Sequence, residues 1–214
     1  MDIQLATTST LQGVVLDRQG RPAPRIPVWV RPKRGDLGND IDRYALRAAT
    51  DGNGQFAITG LPDVDVYLSA GSDYPTTEMP YRRVYYPMGP SVGTAAVFRL
   101  KPGEHRLPTV LVLDPALAKA SVAVRVVHQK GAPGVKAVVM AFADDGAAAE
   151  FAKTDAHGAA RIPCLRGLKY ELEARTWYQR MPWRGNILKS PRSPVTCGDP
   201  RAEFHLILDH SARF

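Results

Sequence analysis

Thr50-Asp51-Gly52-Asn53-Gly54-Gln55-Phe56-Ala57-Ile58-Thr59-Gly60-Leu61 is the stretch whose reading decides the fold. Asp-Gly-Asn-Gly is written in residues that tolerate positive φ, and so specifies a tight turn. Phe56 and Ile58 then alternate with Gln55, Ala57 and Thr59, the period-2 pattern of a strand with one buried face. Gly60-Leu61-Pro62 stops that strand, and Val64 to Ala70 resumes the alternation, which predicts a returning strand and a central hairpin. The same text recurs as Thr154-Asp155-Ala156-His157-Gly158-Ala159-Ala160-Arg161-Ile162-Pro163-Cys164-Leu165. Thr154, Gly158, Ile162 and Leu165 each lie 104 positions after Thr50, Gly54, Ile58 and Leu61. The chain is a duplicated β-module.

Working outward, Leu11 to Leu16 reads as a first strand, Asp17 to Pro22 as its turn and Ile26 to Val30 as a second strand. Val122 to Val127, Gln129 to Pro133 and Val135 to Phe142 answer them, with Gly131, Pro133 and Val139 placed 111 positions after Gly20, Pro22 and Val28. The drop in offset from 111 to 104 puts seven extra residues in the first module, in the polar loop from Pro32 to Ala45. Each module next enters an aromatic and Pro-rich excursion, Tyr74 to Pro90 and Thr176 to Pro194. Each closes on a strand, Val110 to Asp114 and Phe204 to Asp209. No helical periodicity of useful length appears. The expected architecture is all-β: two tandem immunoglobulin-like or transthyretin-like antiparallel β-sandwiches over residues 1–115 and 116–214, each of a size that supports its own core.

Composition narrows the function classes. Gly and Pro number 18 each, and they punctuate apolar runs instead of forming a low-complexity tract, which argues for many short strands. Lys and Arg exceed Asp and Glu by 28 to 21, for a net charge of +7. No basic run reaches five residues, so solvated strand faces explain the excess and no specific nucleic-acid binding is expected. The longest apolar stretches fall far short of the roughly 20 residues that span a membrane. Residues 1–10 show neither a charged n-region nor an apolar h-region; an exported protein would carry its signal segment ahead of this sequence.

Gly13-Val14-Val15-Leu16-Asp17, Gly20, Pro22 and Val28, followed by Thr50-Asp51, Gly54, Phe56, Ile58 and Gly60-Leu61-Pro62, resemble the carboxypeptidase regulatory-like (transthyretin-like) domain family. Tyr85-Tyr86-Pro87 leading into Lys101-Pro102-Gly103-Glu104 adds to the likeness. It covers residues 9–114 well and 120–210 more faintly, where Phe56 becomes Ala160. The resemblance implies a small sandwich that is usually non-catalytic and attached to exported enzymes, receptors or surface proteins. A periplasmic or secreted location is the matching expectation.

Catalytic patterns are weak. Gly89-Pro90-Ser91-Val92-Gly93 matches the G-x-S-x-G elbow of serine hydrolases, which needs a strand, turn and helix to present the hydroxyl; Thr94 to Leu100 reads as strand instead. Val28-Trp29-Val30 also resembles intradiol dioxygenases, which hold ferric iron through two Tyr and two His. Tyr81, Tyr85 and Tyr86 are present, but His105, His128, His157, His205 and His210 form no His-x-His pair. Asp51-Gly52-Asn53-Gly54 lacks the further oxygen ligands and distal Glu of a calcium loop. No metal and no cofactor are expected, and the chain is read as a non-enzymatic module.

Two features remain. Cys164 ends one strand and Cys197 precedes the last, 33 positions apart; a disulfide between them is expected, two buried free thiols being the alternative. The aromatic-basic segment Tyr81-Arg82-Arg83-Val84-Tyr85-Tyr86 has a counterpart in Trp177-Tyr178-Gln179-Arg180-Met181-Pro182-Trp183-Arg184. Rings and guanidinium forks suit a protein partner or a cell-envelope glycan. Most of these rings should cover the sandwich ends, so the candidate site is whichever of Tyr81, Arg82, Arg83, Tyr85, Tyr86, Trp177, Tyr178, Arg180, Trp183 and Arg184 stay exposed.

Overall fold

Strands that alternate buried and exposed residues must find a second layer to cover their apolar face, and both modules do so in the same way. The structure is a computed structural model, and it describes residues 9–33, 45–61, 63–143, 146, 148–178, 186–199 and 203–209. Eight strands belong to the first half: β1 Ser9–Leu16, β2 Pro27–Pro32, β3 Leu46–Ala49, β4 Gln55–Leu61, β5 Val66–Ala70, β6 Val84–Tyr85, β7 Val97–Phe98 and β8 His105–Val112. Eight belong to the second: β9 Lys119–His128, β10 Val138–Phe142, β11 Ala148–Lys153, β12 Ala159–Leu165, β13 Lys169–Tyr178, β14 Asn186–Lys189, β15 Ser193–Thr196 and β16 Phe204–Leu208. Among the described residues there is no α-helix, only the 3-10 turn Val92–Thr94.

Sheet order repeats strand for strand. The first half has a sheet β4-β1-β8 and a sheet β3-β2-β5, in which β5 also pairs β6 and β7. The second has β12-β9-β16 and β11-β10-β13, with β14 and β15 both on β13. Pairing is antiparallel except that β8 runs parallel to β1 and β16 parallel to β9. The all-β tandem sandwich is therefore the observed fold. By spatial clustering the chain forms two compact units, residues 1–73 with 81–116, and residues 74–80 with 117–214. Within the second unit the Thr77 amide donates to Glu150 Oε1 at 2.6 Å and the Leu117 amide to Pro80 O at 2.8 Å, which ties in the 74–80 segment.

Each core is the inward face of its two sheets. In the first unit Leu11, Val15, Ile58 and Leu111 face Val28, Val30, Val66 and Leu68, all nearly or fully buried. In the second, Val124, Val126, Ile162 and Leu206 face Val139, Leu172, Ala174 and Leu188.

The Thr-Asp-x-x-Gly text is the peg of both frames. The Thr50 hydroxyl donates to Ala23 O at 2.6 Å and accepts from the Ile26 amide at 2.9 Å, while the Thr154 hydroxyl does the same with Gly134 O and the Ala137 amide, at the same two distances. Asp51 Oδ1 accepts from the Asn53 and Gln55 amides, and Asp155 Oδ1 from those of His157 and Ala159. Those amides hold the Asp155 carboxyl below the usual carboxylate range. Gly54 has φ +71°, and a Cβ there would lie 2.5 Å from Val15 O; Gly158 has φ +75° and would place it 2.4 Å from Val126 O. Only glycine allows the returning backbone to come that close.

Two expectations are corrected. β4 and β5 do not form a hairpin: β4 pairs β1, whereas β5 pairs β2, β6 and β7 in the other sheet. Gly60, at φ +74°, lies just before the corner where the chain leaves one sheet for the other. The expected strand from Thr94 to Leu100 shrinks to β7, since Val92–Thr94 forms the 3-10 turn first. Most of the expected insertion between Pro32 and Ala45 lies outside the described residues.

Cys164 and Cys197 are bonded, with Cα atoms 6.0 Å apart, so the alternative of two free thiols does not hold. Cys164 lies on β12 and Cys197 directly after β15, so the bond ties the two sheets of the second unit together. Both residues are buried.

Candidate functional site

On β2, Val28 and Val30 point into the core, so Trp29 and Arg31 point outward. Register then sets the neighbours on this outer face: Trp29 lies opposite Arg47 on β3 and Ser69 on β5, and Ser69 lies opposite Tyr85 on β6. Arg31 lies opposite Tyr67. A further cation arrives from the excursion. Gly71 has φ +91°, and a Cβ there would lie 2.5 Å from Arg82 O, so glycine lets the chain return tightly against β5. The Arg83 amide donates to Ser72 O at 2.9 Å and fixes the return.

Three guanidinium groups consequently gather on one indole. Arg31, Arg83 and Arg47 have their Cζ atoms 5.4, 5.7 and 5.9 Å from the centre of the Trp29 ring, within cation–π range. Arg83 is 7% exposed, unusual for an arginine, and its Nη1 lies 2.7 Å from Asp73 Oδ2 without hydrogen-bond alignment. Arg31 reaches the same carboxylate at 3.9 Å. The buried Trp29 Nε1 and Arg83 Nε have no hydrogen-bond acceptor among the described residues. Buried donors of this kind are costly, and they call for an explanation.

The residues singled out in sequence divide among several roles. Arg83 joins the cluster, and half-buried Tyr85 sits at the end of the same outer row. Tyr86 is spent on packing, its ring 5.0 Å from that of Phe98. Tyr81 is half-buried and its carbonyl accepts from the Ser72 amide; Arg82 is exposed and bridges Ser72. In the second unit, the side chains of Trp177 and Tyr178, and Arg180, Trp183 and Arg184 entirely, lie outside the described residues. Sequence reasoning missed Trp29, Arg31 and Arg47. The available signal was Val-Trp-Val-Arg, in which a buried-face alternation forces a tryptophan and an arginine to share the other face.

Elsewhere the chemistry is spent or sparse. Ser91 precedes the 3-10 turn, and its carbonyl accepts from both the Thr94 amide and the Thr94 hydroxyl. Among the described residues no three His, Cys, Asp or Glu side chains converge as metal ligands. A groove of about 560 Å³ lies over β1 and β4, lined by Gln12, Val14, Asp51, Gln55 and Phe56 among others. Asp51 Oδ1 is taken by turn amides, and Asp51 is the one titratable side chain among the groove's described lining residues.

No protein-family model and no curated protein sequence matches the chain. Solved structures do match in fold. A streptococcal ancillary pilin superposes with a TM-score of 0.51 at 12% identity, covering 97% of this chain and 63% of that one. The chain thus spans under two thirds of that pilin's length. The minor pilin GBS52 of Streptococcus agalactiae superposes at 0.46 and 12% identity, over 95% and 98% of the two chains. Hydroxyquinol 1,2-dioxygenase from Pseudomonas putida DLL-E4 matches at 0.31 and 15% identity, over 53% and 59%. At these identities the likeness concerns the fold alone.

Proposed function

We propose that the chain is a non-enzymatic structural or interaction unit of an exported protein. It is read as two carboxypeptidase regulatory-like (transthyretin-like) domains, residues 1–115 and 116–214, in the periplasm or outside the cell. One observation carries the reading: the polar atoms of the signature are consumed in holding up the frame. Thr50 and Thr154 spend their hydroxyls, and Asp51 and Asp155 one carboxylate oxygen each, on backbone groups of their own unit. A buried disulfide fits an oxidising compartment. The likeness to an ancillary pilin is in keeping with a structural part of a surface protein.

The test is chemical. Purified protein should carry no stoichiometric iron, and a serine-reactive phosphonate probe should leave Ser91 unlabelled. Tightly bound iron at one atom per chain, or labelling at Ser91, would overturn the reading in favour of an enzyme.

A further inference from the structure

The outer face of the sheet β3-β2-β5-β6 carries more cationic chemistry than its frame requires. We propose that this face, centred on Trp29 and lined by Arg31, Arg47, Arg83 and Tyr85, binds an acidic polysaccharide through its carboxylates. The inference rests on the interaction-module reading and deepens it.

Three independent features lead to the ligand class. The first is charge: Asp73 meets two of the guanidinium groups, while Arg47 is exposed and has no acidic partner among the described residues. An arginine fork matches an oxyanion in plane and can hold it by paired hydrogen bonds. The second is burial: Arg83, more than nine-tenths buried, and the Trp29 indole both keep donors without acceptors at the centre of the face. These atoms are sealed from solvent and are not themselves ligand contacts; they show that the frame leaves the centre of the face incompletely satisfied. The third is preorganisation. Cation–π contact with one ring holds the three guanidinium groups together before any ligand arrives, so less side-chain freedom is lost on binding.

Shape separates a polysaccharide from an acidic peptide. A peptide that docks by strand addition needs a sheet edge, where backbone groups are unpaired. This cluster sits on a face, where recognition falls to side chains. The row Arg47, Trp29, Ser69, Tyr85 crosses four strands, about 14 Å at the usual strand spacing. An extended chain with repeated carboxylates and hydroxyls can lie across the exposed Arg47 and the half-buried Trp29 and Tyr85, above the buried Ser69.

The test uses the whole chain against polygalacturonate, dextran and polyglutamate, followed by calorimetry at low and high salt. Two variants lower the net charge equally, from +7 to +5: Arg47→Glu in the cluster and Arg161→Glu at an exposed position of β12 in the other unit. Arg47 is exposed and makes no hydrogen bond among the described residues, so its loss should leave the fold intact; circular dichroism checks this. Polygalacturonate should bind and dextran should not. Arg47→Glu should weaken binding about tenfold and Arg161→Glu less than about twofold. Equal weakening by both variants would mean diffuse charge attraction and would overturn the site. Binding of polyglutamate but not polygalacturonate would overturn the ligand class in favour of an acidic protein. Binding of neither would overturn the inference while leaving the module reading, which falls only on iron or a labelled Ser91.

Discussion

The two units share a frame and differ in what they place on it. Position for position, Trp29 corresponds to Met140, Arg31 to Phe142, Arg47 to Phe151 and Ser69 to Glu173. In the first unit the middle of the outer face is therefore an indole ringed by arginines over a serine. In the second it is a buried carboxylate: Glu173 accepts from Arg175 and Arg192 and lies 4.0 Å from Lys189 Nζ. Arg192 also covers the Phe142 ring at 4.1 Å and reaches Glu171 at 3.0 Å. On the second unit's outer face Arg175, Lys189 and Arg192 meet Glu173, whereas Arg31, Arg47 and Arg83 gather around the first unit's indole with Asp73 beside Arg83. Inward faces and turn pegs stay the same because packing and backbone hydrogen bonds dictate them. The outer face is under no such constraint, so it is where a duplicated sandwich can acquire separate roles.

The disulfide is the largest structural difference. Cys164 stands where the first unit has Gly60, and Cys197, two residues after Val195, stands where it has buried Leu100, two after Phe98. A packed leucine thus does in one unit what a covalent bond does in the other. Replacing both cysteines by serine should destabilise the second unit by about 2–4 kcal/mol. Hydrogen exchange followed by mass spectrometry should show faster exchange in β9 to β16 and none of that change in β1 to β8. Equal acceleration in both halves would break the comparison by showing one cooperative unit.

The shared peg gives a smaller and symmetrical effect. Gly54→Val and Gly158→Val each force a Cβ into a backbone carbonyl at positive φ, and each should cost about 1–3 kcal/mol in its own unit. Thermal unfolding of the two variants should match to within a few degrees. A neutral Gly158→Val would show that the second copy of the turn has been relaxed and that the duplication holds in outline only.

How much of this was legible depends on the range of the interaction. The Thr-Asp-x-x-Gly turn could be read because Asp51 bonds amides two and four residues on, and the repeat made the reading twice over. The cysteine pair could be read because the chain has only two, placed at the ends of strands. The β4–β5 hairpin was misread because period-2 alternation says which face of a strand is buried, not which sheet it joins. The Trp29 cluster was read only at Arg83 and Tyr85. Its members come from positions 29, 31, 47 and 83, and nothing local in the sequence links a strand tryptophan to an arginine 54 positions later.

The last difference is one of acid response, smaller than the others and confined to one carboxyl. Burial pushes the Glu173 carboxyl up, but the hydrogen bond and charge of Arg175, with help from Lys189 and Arg192, outweigh it and leave the pKa below the ordinary glutamate value. A depressed folded-state pKa contributes stability that is fully present above the unfolded-state pKa, near 4.3. That contribution is lost as pH falls through the folded-state value. No corresponding carboxylate occupies the middle of the first unit's outer face, where Ser69 stands. Between neutral pH and about pH 3, exchange in β10 and β13 should therefore accelerate more than in β2 and β5, once intrinsic rates are removed. Glu173→Gln should flatten that excess while lowering stability at neutral pH, because three cations lose their shared partner. An acid response unchanged by the substitution would show that Glu173 does not carry the difference, and that the two outer faces differ in composition but not in how charge is held.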